Sequence, residues 1–237
     1  MVVTLELLKA FPLLKPLSDE VLAQLAAHCA LEKHSRRGVV LSAGKREGAV
    51  CFLFEGRLQG VDFTLDGREV GIYFVEKGDI CGELALFDEE PQSEFVIAVT
   101  QSVVLRIPAM ELRKVLQSST SVMSLLGKKL AAKIRRMTAQ RSLLALPNVG
   151  QRVCHQLWIL VSDGKPETLS QGHCLEILNP PTHKELAIML NLSRETVTRV
   201  FQILQNRQIV KRDGASKLVV HDLKSLKGFA DGSLDLG

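Results

Sequence analysis

A length of 237 residues, with 46% hydrophobic and 24% charged side chains, describes a globular protein able to bury two modest cores. The net charge of +4 is too mild to identify a polyanion partner by itself, and five scattered cysteines without a CxxC pair exclude a disulfide scaffold. No stretch approaches a membrane span, and Glu6, Lys9, Lys15 and two prolines interrupt the N-terminus, so a cytoplasmic protein is expected.

Residues 1 to about 30 read as helical. Ser18 is placed to cap, Asp19 and Glu20 suit a first turn, and Val21, Leu22, Leu25 and Ala26 repeat on one face. From about Ser35 to Arg106 the texture changes to short apolar runs punctuated by glycines, such as Val50 to Phe54, Gly71 to Val75 and Phe95 to Val99. Asp66-Gly67 is a hairpin signal between two of them. Many short strands at even spacing predict a jelly roll.

A long helical region is expected from about Pro108 to Leu146. Met123, Leu126, Leu130, Ile134, Met137, Arg141 and Leu144 step by three and four, as in the seam of a two-stranded coiled coil. Six basic and no acidic residues lie between Gly127 and Arg141. Pro147-Asn148 ends the region. Then come a helix from Gln151 to about Val161, a polar loop around residues 163–166 and a strand at Cys174 to Leu178.

Thr182 to Gln205 carries the clearest motif. Thr182 and Glu185 form a capping box. Asn191 can end that helix in the left-handed conformation, and Ser193 can cap the next. In the second helix Val197, Val200, Phe201 and Leu204 should face inward, leaving Glu195, Thr198, Arg199 and Gln202 outward with Arg194 at the edge. Two strands follow, Ile209 to Arg212 and Lys217 to His221, with a turn at residues 213–216 between them. Helix-turn-helix plus hairpin is a winged helix, and its second helix suits a major groove. From Thr182 to Lys227 there are nine Lys or Arg against four Asp or Glu, an excess suited to phosphates. An ordinary helical hairpin with a solvated basic face is the alternative.

With these residues in place, the chain resembles the cyclic-AMP receptor/fumarate-nitrate regulator (CRP/FNR) family of transcription regulators. Ser193-Arg-Glu-Thr-Val-Thr-Arg199 is similar to the family's recognition-helix signature, and Gly82-Glu-Leu-Ala-Leu-Phe87 to the start of its phosphate-binding cassette. The resemblance implies an α+β fold with three parts. Residues 1–108 would form a double-stranded β-helix (jelly-roll) sensor of the cyclic-nucleotide-binding type, 109–146 a dimerisation helix and 147–237 a winged helix-turn-helix. It implies a homodimer bound to double-stranded DNA, with RNA polymerase as a further partner.

By the same resemblance Arg194, Glu195 and Arg199 read bases. Arginine can donate twice to guanine and glutamate can accept from cytosine, each pair worth about 1–3 kcal/mol of discrimination. Ser193, Thr196 and Thr182 would hold phosphates. The implied half-sites are TGTGA-like, inverted and about one helical turn apart. The seam Met123, Leu126, Leu130, Ile134 and Met137 would pair the protomers.

The sensor end departs from the pattern. Gly82, Glu83, Leu84, Gln92, Ser93 and Thr138 are the implied pocket, with Glu83 standing where the family holds the ribose. Where the family has an arginine for the cyclic phosphate followed by a small hydroxyl residue, this chain has Ser93 and Glu94. Losing that charge-assisted contact removes about 2–3 kcal/mol, and a carboxylate adds repulsion. Of the family's polar base contacts on the long helix, at about Met137 and Thr138, one hydroxyl survives. A small-molecule effector other than cyclic AMP is therefore expected. An anion held by Lys133, Arg135 or Arg136 is one form of it, and haem through Cys81 is another. A constitutive regulator with a vestigial pocket and a signalling module that does not touch DNA are the competing functions. Cys154-His155 and His173-Cys174 match no zinc spacing, and no nucleophile elbow, Walker loop or paired-carboxylate motif suggests an enzyme.

Overall fold

The computed structural model describes residues 3–164, 174–214 and 217–236. The chain divides into two compact units, Met1–Met137 and Thr138–Gly237. Of the expected polar loop at 163–166, residues 163 and 164 are the last of a helix, while 165 and 166 lie outside the described residues, as do residues 215 and 216 of the wing turn and residue 173.

The first unit opens with α1 (Leu5–Lys9) and α2 (Asp19–Ala26), the latter capped as expected by the Ser18 hydroxyl accepting from Val21 N. Strands begin earlier than the glycine pattern indicated, with β1 at Ala30–His34. Then follow β2 (Val39–Leu41), β3 (Ala49–Glu55), β4 (Leu58–Phe63), β5 (Glu69–Val75), β6 (Ile80–Cys81), a 3-10 turn (Glu83–Leu86), β7 (Phe95–Ala98) and β8 (Ser102–Pro108). They form two four-stranded antiparallel sheets, ordered β1-β8-β3-β6 and β2-β7-β4-β5. Asp66-Gly67 turns β4 into β5, with Gly67 at φ +77°.

Strand β3 shows why its run reads as uninterrupted apolar residues. Its two faces serve two cores. Cys51 and Leu53 point into the roll with Leu41, Leu58, Val96 and Val104. Val50 and Phe52 point outward, where they join Leu105 and Ile107 of β8 under a helical cover. Phe11 meets Phe52 edge-on, with ring centroids 5.2 Å apart.

The helix expected from Pro108 to Leu146 is two helices, α3 (Ala109–Ser118) and α4 (Thr120–Leu144). Ser119 between them is extended, at φ −129° and ψ 99°. The cause lies in the run Ser118-Ser119-Thr120-Ser121. Hydroxyls compete with the helical ladder for backbone groups. Ser118 Oγ donates back to the Lys114 and Val115 carbonyls, while Ser119 Oγ accepts from Val122 N and starts a new helix.

Helix α4 has two apolar faces in place of one seam. Val122 and Leu126 are fully buried in the core shared with α3, and Leu130 packs partly on it. Leu126 therefore belongs to the interior of its own sensor unit. Met123, Ile134 and Met137 are 41%, 65% and 41% exposed. With Gly127, whose missing side chain would meet nothing within 4 Å, they form an outward stripe beside the buried one.

The second unit holds α5 (Val149–Gly164), β9 (Leu175–Leu178), α6 (His183–Leu190), α7 (Arg194–Asn206), β10 (Val210–Asp213), β11 (Lys217–Val220) and α8 (Leu223–Asp231). Its sheet runs β10-β11-β9, all antiparallel. Val153, Cys154 and Leu157 of α5 pack with Val197, Phe201 and Leu204 of α7. The sequence reading missed α8. Its signal was there: Asp222 caps by accepting from Ser225 N, and Leu226, Phe229 and Ala230 step inward.

Candidate nucleic-acid interface and sensor pocket

The interface is built on two short helices whose ends are set by side chains. Thr182 Oγ1 accepts from Glu185 N while Glu185 Oε2 accepts from Thr182 N, which closes the expected capping box. Asn191 ends α6 in the left-handed region at φ 51°. Ser193 Oγ accepts from Thr196 N to start α7.

On α7 the inward set is Val197, Val200, Phe201 and Leu204, all buried, as the periodicity required. The opposite side presents Arg194, Glu195, Thr198, Arg199 and Gln202 around one shallow concavity. Among the described residues no ion pair joins Glu195 to Arg199, although they are one turn apart. Their heads are thus not spent on each other. Ser193, Thr196 and Thr182 lie at the N-terminal ends of α7 and α6, where backbone N–H groups and helix dipoles favour phosphate. The Ser193 and Thr196 hydroxyls are 2.8 Å apart and hold each other.

One residue behind this surface had no sequence signal. His183 Nδ1 lies 2.9 Å from Thr198 Oγ1, and the Thr198 hydroxyl gives its single proton to the Arg194 carbonyl at 2.9 Å. The imidazole is then the donor, through Nδ1–H, and Nε2 carries the lone pair. Nε2 is buried without a partner, and the ring rests on Phe201 with centroids 4.4 Å apart. Burial, with Arg212 and Arg194 nearby, holds the His183 pKa below its ordinary 6.5.

In the first unit, Gly82 takes the left-handed conformation at φ +76° and opens the 3-10 turn. A Cβ there would lie 2.8 Å from the Ala49 carbonyl oxygen, so the turn packs against β3 on glycine alone. Arg113 of α3 donates to the Ala85 and Leu86 carbonyls and fixes the end of the turn. Glu83 is 2% exposed, and its Oε1 accepts from Lys133 Nζ of α4 at 2.6 Å. Its Oε2 is buried and unpartnered. The Lys133 ammonium also lies 3.9 Å from the centre of the Tyr73 ring. Tyr73 OH and Ser93 Oγ both donate to the buried Glu94 carboxylate. Desolvation first, then the Glu94 charge, pushes the Tyr73 pKa well up, so the phenol stays a donor.

Of the expected pocket residues, Gly82 and Glu83 open the turn, Leu84 is 46% exposed, and Thr138 is the first residue of the second compact unit. Gln92 exchanges backbone hydrogen bonds with Gly44 and Lys45 in the adjoining loop. Lys133, expected to help hold an anion, is paired with Glu83 instead. The residues present do not fit a cyclic phosphate: Ser93 supplies no cation, Glu94 is acidic, and Glu83 already has a partner. Haem does not fit at Cys81. That thiol is fully buried opposite Cys51 on β3, and the Cys51 contact with desolvation drives its pKa well above the range of a ready thiolate.

A jelly-roll sensor followed by a winged helix with an exposed arginine-rich recognition face defines a class, that of DNA-binding transcription regulators with an attached sensor domain. Comparison with known proteins bears this out. The Cyclic nucleotide-binding domain family matches residues 31–119 and the Crp-like helix-turn-helix domain family residues 151–229. The cAMP-activated global transcriptional regulator CRP of Pasteurella multocida is 25% identical over 86% of this chain and 96% of its own length. The cAMP-activated global transcriptional regulator Vfr of Pseudomonas aeruginosa is 28% identical over 84% of this chain and 92% of its own. Among solved structures, FixK2 from Bradyrhizobium japonicum superposes with a TM-score of 0.71 over 85% of this chain and 96% of its own, at 16% identity, and so shares the fold. A cyclic nucleotide-binding domain followed by a Crp-like helix-turn-helix domain is the make-up of a DNA-binding transcription regulator of the CRP/FNR type.

Proposed function

We propose that this regulator works as a homodimer in the cytoplasm, reads inverted TGTGA-like half-sites, and is not switched by cyclic AMP. The observation that carries the DNA reading is the exposed row Arg194, Glu195 and Arg199 on α7, unpaired with one another and backed by a buried stripe. Arginine at either end of the row suits guanine, and Glu195 between them suits the amino group of cytosine. Ser193, Thr196 and Thr182 set the register by holding phosphates. The dimer reading rests on the outward stripe Met123, Gly127, Ile134 and Met137 within 109–146, with half-buried Leu130 at its border and Leu126 excluded. RNA polymerase enters as a partner by kinship with transcription activators. Ser93 and Glu94, where the family pattern has an arginine and a small hydroxyl residue, support an effector other than cyclic AMP, as does the pairing of Lys133 with Glu83. Fluorescence anisotropy on a duplex carrying the inverted TGTGA site, against a scrambled duplex, tests the reading. The expected result is at least 1000-fold tighter binding to the inverted site, with affinity falling steeply as salt rises, on the order of the ratios typical of specific regulators. Equal affinity for both duplexes would end the claim of base reading.

A further inference from the structure

Glu83, at the expected effector site, already pairs with a cation. Lys133 reaches out of α4 to the Glu83 carboxylate at 2.6 Å and lies over the Tyr73 ring at 3.9 Å. Carboxylate plus aromatic face is the chemistry that selects an ammonium group. The cradle is shaped for it. Gly60 pairs with Tyr73 across the β4–β5 hairpin, and a Cβ on Gly60 would fall 2.7 Å from the ring, so glycine there lets the ring lie flat. Ser93 and Tyr73 hydroxyls hold Glu94, whose carboxylate sits at the hydroxyl end of the ring. With two carboxylates, Glu83 and Glu94, against one ammonium, an incoming phosphate meets net negative charge. One turn before Lys133, Lys129 pairs with Asp79 at 2.6 Å, so α4 reaches the roll through two lysines in succession.

We infer that the effector pocket of this chain is an ammonium site, and that its occupant is the chain's own Lys133. This deepens the proposal that cyclic AMP is not the switch: the sensor part of α4 is tied to the roll by its own lysines. Glu83 is buried, its second oxygen has no partner, and Lys133 is what balances its charge. Removing that ammonium leaves an uncompensated buried carboxylate, a strongly destabilising change.

Chemical rescue of the full-length protein tests this. Lys133→Ala deletes three carbons and the ammonium, which n-propylammonium replaces. The variant is expected to melt about 5 °C or more below the wild type. Propylammonium chloride at about 50 mM should recover at least half of the loss, and sodium chloride at equal ionic strength should not. Lys133→Met, which fills the space without charge, should show the loss and no rescue. Titration calorimetry of the wild type with cyclic AMP or cyclic GMP at up to about 1 mM should give no binding heat. An unchanged melting point for Lys133→Ala, equal rescue by sodium chloride, or micromolar cyclic-nucleotide binding by the wild type would each overturn the inference. Melting and calorimetry are read without DNA, so failure here leaves the base-reading proposal standing.

Discussion

At the scale of single residues, α7 separates an exposed charged row, proposed to read bases, from the hydroxyls at its N-terminal end, proposed to hold phosphates. Arg199 is exposed, has no partner among the described residues and lies one turn from Glu195. Arg199→Ala should weaken binding to the inverted TGTGA duplex by about 5- to 150-fold, the equivalent of one bidentate pair at about 1–3 kcal/mol, and flatten the preference at one guanine. A panel of single-base variants of the duplex would show it, and uniform weakening across the panel would make Arg199 a phosphate contact instead. His183 acts from behind. Its folded pKa lies below 6.5, so the unfolded chain binds the proton first, and the folded state loses stability as pH falls below about 6.5. Once pH drops below the folded pKa, the loss levels off. The wild type should therefore lose more melting temperature between pH 7 and pH 5.5 than His183→Gln does. Parallel pH curves for the two proteins would show that His183 is not the group responsible.

At the scale of elements, α4 shows how one period of three and four can conceal two faces. The predicted seam ran through Leu126 and Leu130, yet Leu126 is wholly inside the sensor core and Leu130 partly so. Helical wheels alone cannot assign a face when apolar residues occupy two adjacent stripes, because the sheet and α3 choose which stripe they cover. The exposed stripe is the one available for a second copy. Ile134→Glu would place a charge in its middle and should convert a dimer to a monomer at micromolar concentration, measured by sedimentation, while leaving the melting temperature of the sensor unit nearly unchanged. A variant that stays dimeric would move the interface off this stripe. The same region shows why the expected single helix became two. Four consecutive hydroxyl residues offer the backbone enough alternative partners to release one peptide from the ladder.

At the scale of the whole molecule, the two ends differ in how much of them the sequence reveals. The output end is local in its logic. Capping box, left-handed Asn191, N-cap Ser193 and the buried stripe of α7 lie within 24 residues, and each rule concerns neighbours three or four apart. The wing was legible for the same reason, while His183 was not, because its role depends on a packed partner 15 positions away. The input end is non-local. Ser93 and Glu94 depart from the family pattern in the sequence itself, and that departure was legible without coordinates. What stands there instead involves Glu83, Tyr73 and Lys133, from a turn, a strand and a helix 50 residues downstream. The basic run from Gly127 to Arg141 suggested an anion, since a sequence shows charges and not their partners. By itself, then, the sequence determined the order of the parts and which side of α7 faces outward, because short-range periodicity and capping chemistry encode them. Only the tertiary structure decided which face of α4 is buried and which carboxylate Lys133 neutralises, because burial and ion pairing are set by residues that folding brings together from distant points of the chain.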